Sequence, residues 1–122
     1  MATIVLGENE PDIAFGVELL FARAGHRIRL TTTGPDTLAS IQAQPPDLIV
    51  MNPSLPHLDG LEICQRVRDD PALAHLPILL LSARYKPAEV AAARAAGAND
   101  YLGKPFNNRD LLARAESLLA AS

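Results

Sequence analysis

At 122 residues, 48% hydrophobic and 20% charged, the chain has the size and make-up of a single globular domain, 1–122, with its own core. A net charge of -3 with no basic run argues against direct nucleic-acid binding, and no apolar run is long enough to span a bilayer. The lone cysteine excludes an internal disulfide and no signal peptide is visible, so the expected setting is a reducing cytoplasm.

Residues 3–6 form a short β-branched and apolar run, read as the first strand, which stops at Gly7-Glu8-Asn9-Glu10-Pro11. Residues 12–24 carry apolar side chains at 13, 17, 20, 21 and 24, a helical stripe. Pro11 suits the first turn of that helix, and Gly25 suits its end. Residues 26–31 alternate polar with apolar, at Ile28 and Leu30, as an edge strand with one solvated face does. Thr31-Thr32-Thr33-Gly34 resembles the Thr-x-Thr-Gly phosphate loop of flavodoxins, but that loop follows the first strand and this one follows the second. Gly34 and Pro35 therefore read as the approach to a helix over 36–43, with Leu38 and Ile41 inward.

The centre of the chain is the stretch 47–60, DLIVMNPSLPHLDG. Residues 48–51 are continuously apolar and are bracketed by Pro45, Pro46 and Pro53, the pattern of a parallel strand buried on both faces. Asn52 sits at its carboxyl end, where open α/β sheets bind ligands. A helix from 59 or 60 to 69 comes next, with Leu61, Cys64 and Val67 on one face and Ile63 beside it, so Cys64 reads as a small buried hydrophobe. Residues 78–81 form another apolar strand ending at Ser82-Ala83, and residues 87–96 an alanine-rich helix ended by Gly97. Residues 100–103 form the last strand, ending at Lys104-Pro105-Phe106. Asn107 is placed to cap a final helix whose apolar face is Leu111, Leu112, Ala115, Leu118 and Leu119. Five alternations of strand and helix imply a parallel sheet with right-handed crossovers and helices on both faces.

Four strand tips thus carry Glu8 with Asn9, Asn52, Ser82 and Lys104. This set, with the loop LPHLDG and the segment GANDYLGKPF, resembles the receiver domain of bacterial response regulators, the signalling module of two-component systems and phosphorelays. The resemblance covers the whole chain. It implies a flavodoxin-like, doubly wound (βα)5 fold with strand order 2-1-3-4-5. In that family an acidic pair and a phosphoacceptor aspartate hold Mg²⁺, together with a backbone carbonyl two residues past the acceptor, here that of Ser54. The acceptor attacks a phosphoryl donor, and a Ser/Thr hydroxyl and a lysine bind the phosphoryl oxygens. An aromatic residue on the last strand turns inward when the hydroxyl moves. Ser82, Lys104 and Tyr101 match those last three roles.

The departures carry the functional expectation. The phosphoacceptor position is Asn52, whose amide is not a nucleophile, and the acidic pair is reduced to Glu8 and Asn9. Mg²⁺ prefers carboxylate oxygens in strict octahedral geometry, so weak or absent binding is expected, with at most a residual site at Glu8, Asn52 and Ser54. Lys104 is expected to pair with Glu8 and hydrogen-bond Asn52, Ser82 to satisfy local polar groups, and His57 to be a loop residue. The chain therefore reads as a degenerate pseudo-receiver, not an enzyme, without a cofactor. It is expected to be a protein–protein interaction or regulatory module for a histidine kinase, an output domain or another regulator, away from membranes. One alternative is a phosphorylatable receiver with a non-standard acceptor, Ser54 or Asp59 being nearest. A flavin-type binder is disfavoured by the misplaced Thr-Gly loop. Many receivers dimerise through the fourth helix, fifth strand and fifth helix. Asp100, Asp110 and Arg114 match ion-pair positions on that face. Val90 replaces the basic partner of Asp110, and Ala95 and Glu116 replace a second pair, so a monomer or weak homodimer is expected.

Overall fold

The computed structural model describes residues 1–121. Five strands, β1 (Thr3–Gly7), β2 (Arg27–Thr31), β3 (Leu48–Met51), β4 (Ile78–Ser82) and β5 (Asp100–Gly103), alternate with five helices. The helices are α1 (Pro11–Arg23), α2 (Gly34–Ala43), α3 (Gly60–Asp69), α4 (Pro87–Ala96) and α5 (Asn108–Ala121). The strands form one parallel sheet in the order β2-β1-β3-β4-β5, as expected.

Strand alternation divides the core in two. Val5, Ile49, Met51, Ile78 and Leu80 face Leu38 and Ile41 of α2, Ile63, Cys64 and Val67 of α3, and Ala93 and Ala96 of α4. Ile4, Leu6, Leu48, Val50, Leu79 and Leu81 face Val17 and Phe21 of α1 and Leu111 and Ala115 of α5. The three central strands are buried on both sides, which explains their unbroken apolar runs.

The structure corrects several local expectations. α2 starts at Gly34, not 36, because the Thr33 hydroxyl accepts from the Asp36 N–H at 3.2 Å and Pro35 supplies the first turn. The Thr-Gly segment is thus a helix cap. α1 ends at Arg23, and Ala24 is an exposed C-cap residue outside the core stripe. In α3 the buried apolar side chains are Ile63, Cys64 and Val67, and Leu61 is only half-buried. β2 is an edge strand, but its polar face is not simply solvated: Arg29 donates to the Gln44 side-chain oxygen at 3.0 Å and to the Ser40 carbonyl at 3.3 Å, closing the end of α2. Leu30, one of the apolar positions of that alternation, is 40% exposed. Gly97 ends α4 with φ +116°, and Asn107 caps α5 by accepting from the Asp110 N–H at 2.7 Å.

Candidate functional site

The carboxyl ends of β1, β3 and β4, with the residue after β5, bring Glu8, Asn52, Ser82 and Lys104 together, and all four are buried. Glu8 is the centre, 1% exposed. Its Oε1 accepts from Lys104 Nζ at 2.7 Å. Its Oε2 accepts from Asn52 Nδ2 at 3.1 Å and from the backbone N–H groups of Asn9 and Glu10 at 3.0 and 3.3 Å. One buried carboxylate thus holds four donors, which offsets the cost of removing it from water. Lys104 also lies 3.8 Å from the exposed carboxylate of Glu10. That contact was missed in the sequence, where nothing local ties Glu10, the residue before α1, to the strand tip that carries Lys104.

Asn52 is held at both ends. Its Oδ1 accepts from the Ser54 N–H at 2.9 Å while its Nδ2 donates to Glu8. Only this orientation of the amide satisfies both neighbours. The expected bond from Lys104 to Asn52 is not formed; Glu8 stands between them, pairing with both. Asn9 is exposed, and what it brings to Glu8 is its backbone N–H. Ser54 is exposed, Asp59 caps α3 by accepting from the Glu62 N–H at 2.9 Å, and His57 is exposed with φ +71°. Among the described residues, no group of three or more His, Cys, Asp or Glu could hold a metal ion.

The two residues matched to switching roles converge on Arg84. Ser82 Oγ accepts from the Arg84 N–H at 3.0 Å, and the Tyr101 hydroxyl donates to the Arg84 carbonyl. The Tyr101 ring packs against the α3–α4 side of the core. The Arg84 guanidinium lies 2.8 Å from Glu89 of α4. Arg84 was not singled out in the sequence; its part is played by backbone atoms, which side-chain identity does not reveal.

On the face of α4, β5 and α5, Arg114 donates to Asp110 at 3.1 Å and to both oxygens of Asp100 at 3.0 and 3.2 Å. The hydrogen bond to Asp110 is the main cause that pushes the Arg114 guanidinium further toward its charged form. Arg94 of α4 approaches Asp100 at 3.8 Å, and Val90, one turn earlier on α4, is half-buried. These pairs lie within one chain. Burial pushes the Cys64 thiol up to about 12, so at neutral pH it stays protonated and unreactive.

The sequence profile of the response regulator receiver domain matches residues 4–116. The chain belongs to this family. The receiver is 39% identical to the transcriptional regulatory protein AfsQ1 of Streptomyces coelicolor over 119 residues, which cover 98% of this chain and 52% of that protein. It is 31% identical to the alkaline phosphatase synthesis transcriptional regulatory protein PhoP of Bacillus subtilis, covering 98% of this chain and 49% of that one. The receiver therefore spans about half the length of these relatives. Among solved structures, a response regulator from Chloroflexus aurantiacus superposes with a TM-score of 0.93 at 35% identity, covering 98% of both chains. The receiver domain of the sensor histidine kinase PA1611 of Pseudomonas aeruginosa, solved with a magnesium ion coordinated in its active-site cleft, superposes at 0.90 with 28% identity, covering 98% of both.

Proposed function

We propose that this receiver works in two-component signalling as a protein-interaction or regulatory module whose conformation is not set by aspartyl phosphate. The observation that carries the proposal is Asn52. At the acceptor position an amide nitrogen donates to Glu8, and its oxygen is occupied by the Ser54 N–H, so no nucleophilic oxygen is offered. Incubation with acetyl phosphate and Mg²⁺, followed by intact mass, is expected to give no added mass. A gain of one phosphoryl group overturns the proposal and promotes a non-standard acceptor such as Ser54 or Asp59.

The same residues are a poor fit for Mg²⁺. Glu8 is the single carboxylate at the buried centre, and both its oxygens are already used by Lys104, Asn52 and two backbone N–H groups. A phosphoryl-transfer step through the metal does not fit this donor set. Asn52→Asp puts a second carboxylate about 3 Å from Glu8. With Lys104 neutralising one charge, the variant is expected to lose about 1–3 kcal/mol without a divalent ion, since two charges 4 Å apart interact by about 4 kcal/mol at an effective dielectric near 20. Adding Asn9→Asp is expected to give tighter Mg²⁺ binding than either single change, read by titration calorimetry. Equal affinity in the single and double variants means that position 9 does not reach the metal.

The partner is a protein: a histidine kinase, an output domain or another regulator. The face of Val90, Asp100, Asp110 and Arg114 is the proposed contact surface. Because Arg114 is already satisfied within the chain, and exposed pairs contribute only about 0–1 kcal/mol, the protein alone is expected to be a monomer or weak dimer in dilute solution. Sizing with light scattering checks this; a tight dimer that survives Arg114→Glu removes this face from consideration.

A further inference from the structure

A cavity of about 450 Å³ lies between α1 and the segment joining β5 to α5. Its size falls in the range of small-molecule sites, and its walls are apolar: Ile13 and Val17 on one side, Pro105 and Phe106 on the other. Glu10, Asp12 and Lys104 supply the charge at one end.

The sign of that end decides what it can hold. Lys104 Nζ is buried and spent on Glu8 at 2.7 Å, with Glu10 at 3.8 Å. Three carboxylates, Glu8, Glu10 and Asp12, thus stand against one ammonium. The N-termini of α1 and α5, at Asp12 and Asn108, both border the cavity and each contribute about +0.5 charge at most. The carboxylates win, and the exposed ones are Glu10 and Asp12.

We propose that this cavity is a binding site for a small apolar amine, its ammonium between Glu10 and Asp12 and its body against Ile13, Val17 and Phe106. The occupant competes with Lys104 for Glu10, so the cavity communicates with the Glu8–Lys104 pair through one shared carboxylate. The site stands apart from the question of phosphorylation: binding here can be found or refuted whichever way the acetyl phosphate experiment falls.

Gly16 provides the control. It lies in α1 on the cavity wall, and a Cβ built there meets nothing within 4 Å, so a larger side chain enters open space rather than the core. Tryptamine is the probe and indole-3-propionate its anionic counterpart, followed by amide chemical shifts in the full chain. Tryptamine is expected to shift the amides of Gly16, Ala83 and Phe106 and to bind at least about tenfold tighter than the anion. Gly16→Leu is expected to abolish those shifts with the spectrum otherwise retained, and Glu10→Gln with Asp12→Asn to weaken binding about tenfold, equivalent to 1.4 kcal/mol. The proposal is overturned if tryptamine leaves these amides unmoved, if the anion binds as well, or if binding survives Gly16→Leu. It is also overturned if a lysine-bearing amphipathic peptide shifts the same amides and tryptamine does not, which assigns the cavity to a protein partner.

Discussion

Lys104→Met is expected to lower the stability of the fold by about 3–5 kcal/mol, the cost typical of leaving one half of a buried ion pair behind. Methionine preserves most of the side-chain volume, so the loss reports charge rather than packing. What remains is Glu8, 1% exposed, with Asn52 Nδ2 and two backbone N–H groups as donors but no counter-charge. A domain of ordinary stability has about 5–15 kcal/mol in total, so the variant sits near the edge of folding. Urea unfolding at neutral pH measures the loss, and adding Glu8→Gln is expected to recover most of it by removing the stranded charge. A loss below about 1 kcal/mol in Lys104→Met would mean that the Glu8–Lys104 pair contributes little to the stability of the fold.

Gly34→Ala is the second large effect, and it involves no charge. A Cβ at Gly34 would lie 1.9 Å from the Leu58 carbonyl oxygen and 2.6 Å from its carbon and Cβ. The obstacle is mostly backbone, so rotating a side chain gives no relief. Either the first turn of α2 retreats, breaking the bond from the Gly34 N–H to the Pro56 carbonyl at 2.9 Å, or the loop after β3 moves. We expect a loss of about 2–4 kcal/mol by urea unfolding, with amide shifts concentrated between residues 52 and 60. A variant within about 0.5 kcal/mol of wild type, with an unchanged loop, would mean that this contact is looser than described.

Much of the sheet could be read from the chain because its central strands are buried on both faces. Residues 48–51 and 78–81 have no polar position to misplace, and the prolines beside them, Pro45, Pro46, Pro53 and Pro77, are local signals. The helix after Asp59 was harder. Leu61, Ile63, Cys64 and Val67 offer two overlapping apolar stripes, and packing in the core buries Ile63, Cys64 and Val67 fully while Leu61 stays at its margin. At the site, residue types and strand tips were legible, whereas the bonding order was not. Lys104 and Asn52 are both natural partners for a carboxylate, and sequence does not say that Glu8 lies between them. Nor does it place Glu10, the residue preceding α1, back over Lys104. The tight approach of Gly34 to Leu58 joins two segments far apart in the chain, and no local pattern announces it.

The bonds that hold Asn52 also bear on how the protein ages. Asparagine commonly turns to aspartate when the next backbone nitrogen attacks the side-chain carbonyl and closes a succinimide ring. Here the next residue is Pro53, whose nitrogen carries no hydrogen, so that ring cannot form in the usual way. Direct hydrolysis by water is left, and the side chain is 7% exposed with its oxygen and nitrogen both engaged. Stored protein is therefore not expected to drift back toward a carboxylate at this position. Acidic charge variants that build up in an old preparation arise from other residues, and a peptide map of residues 48–60 would still read Asn52.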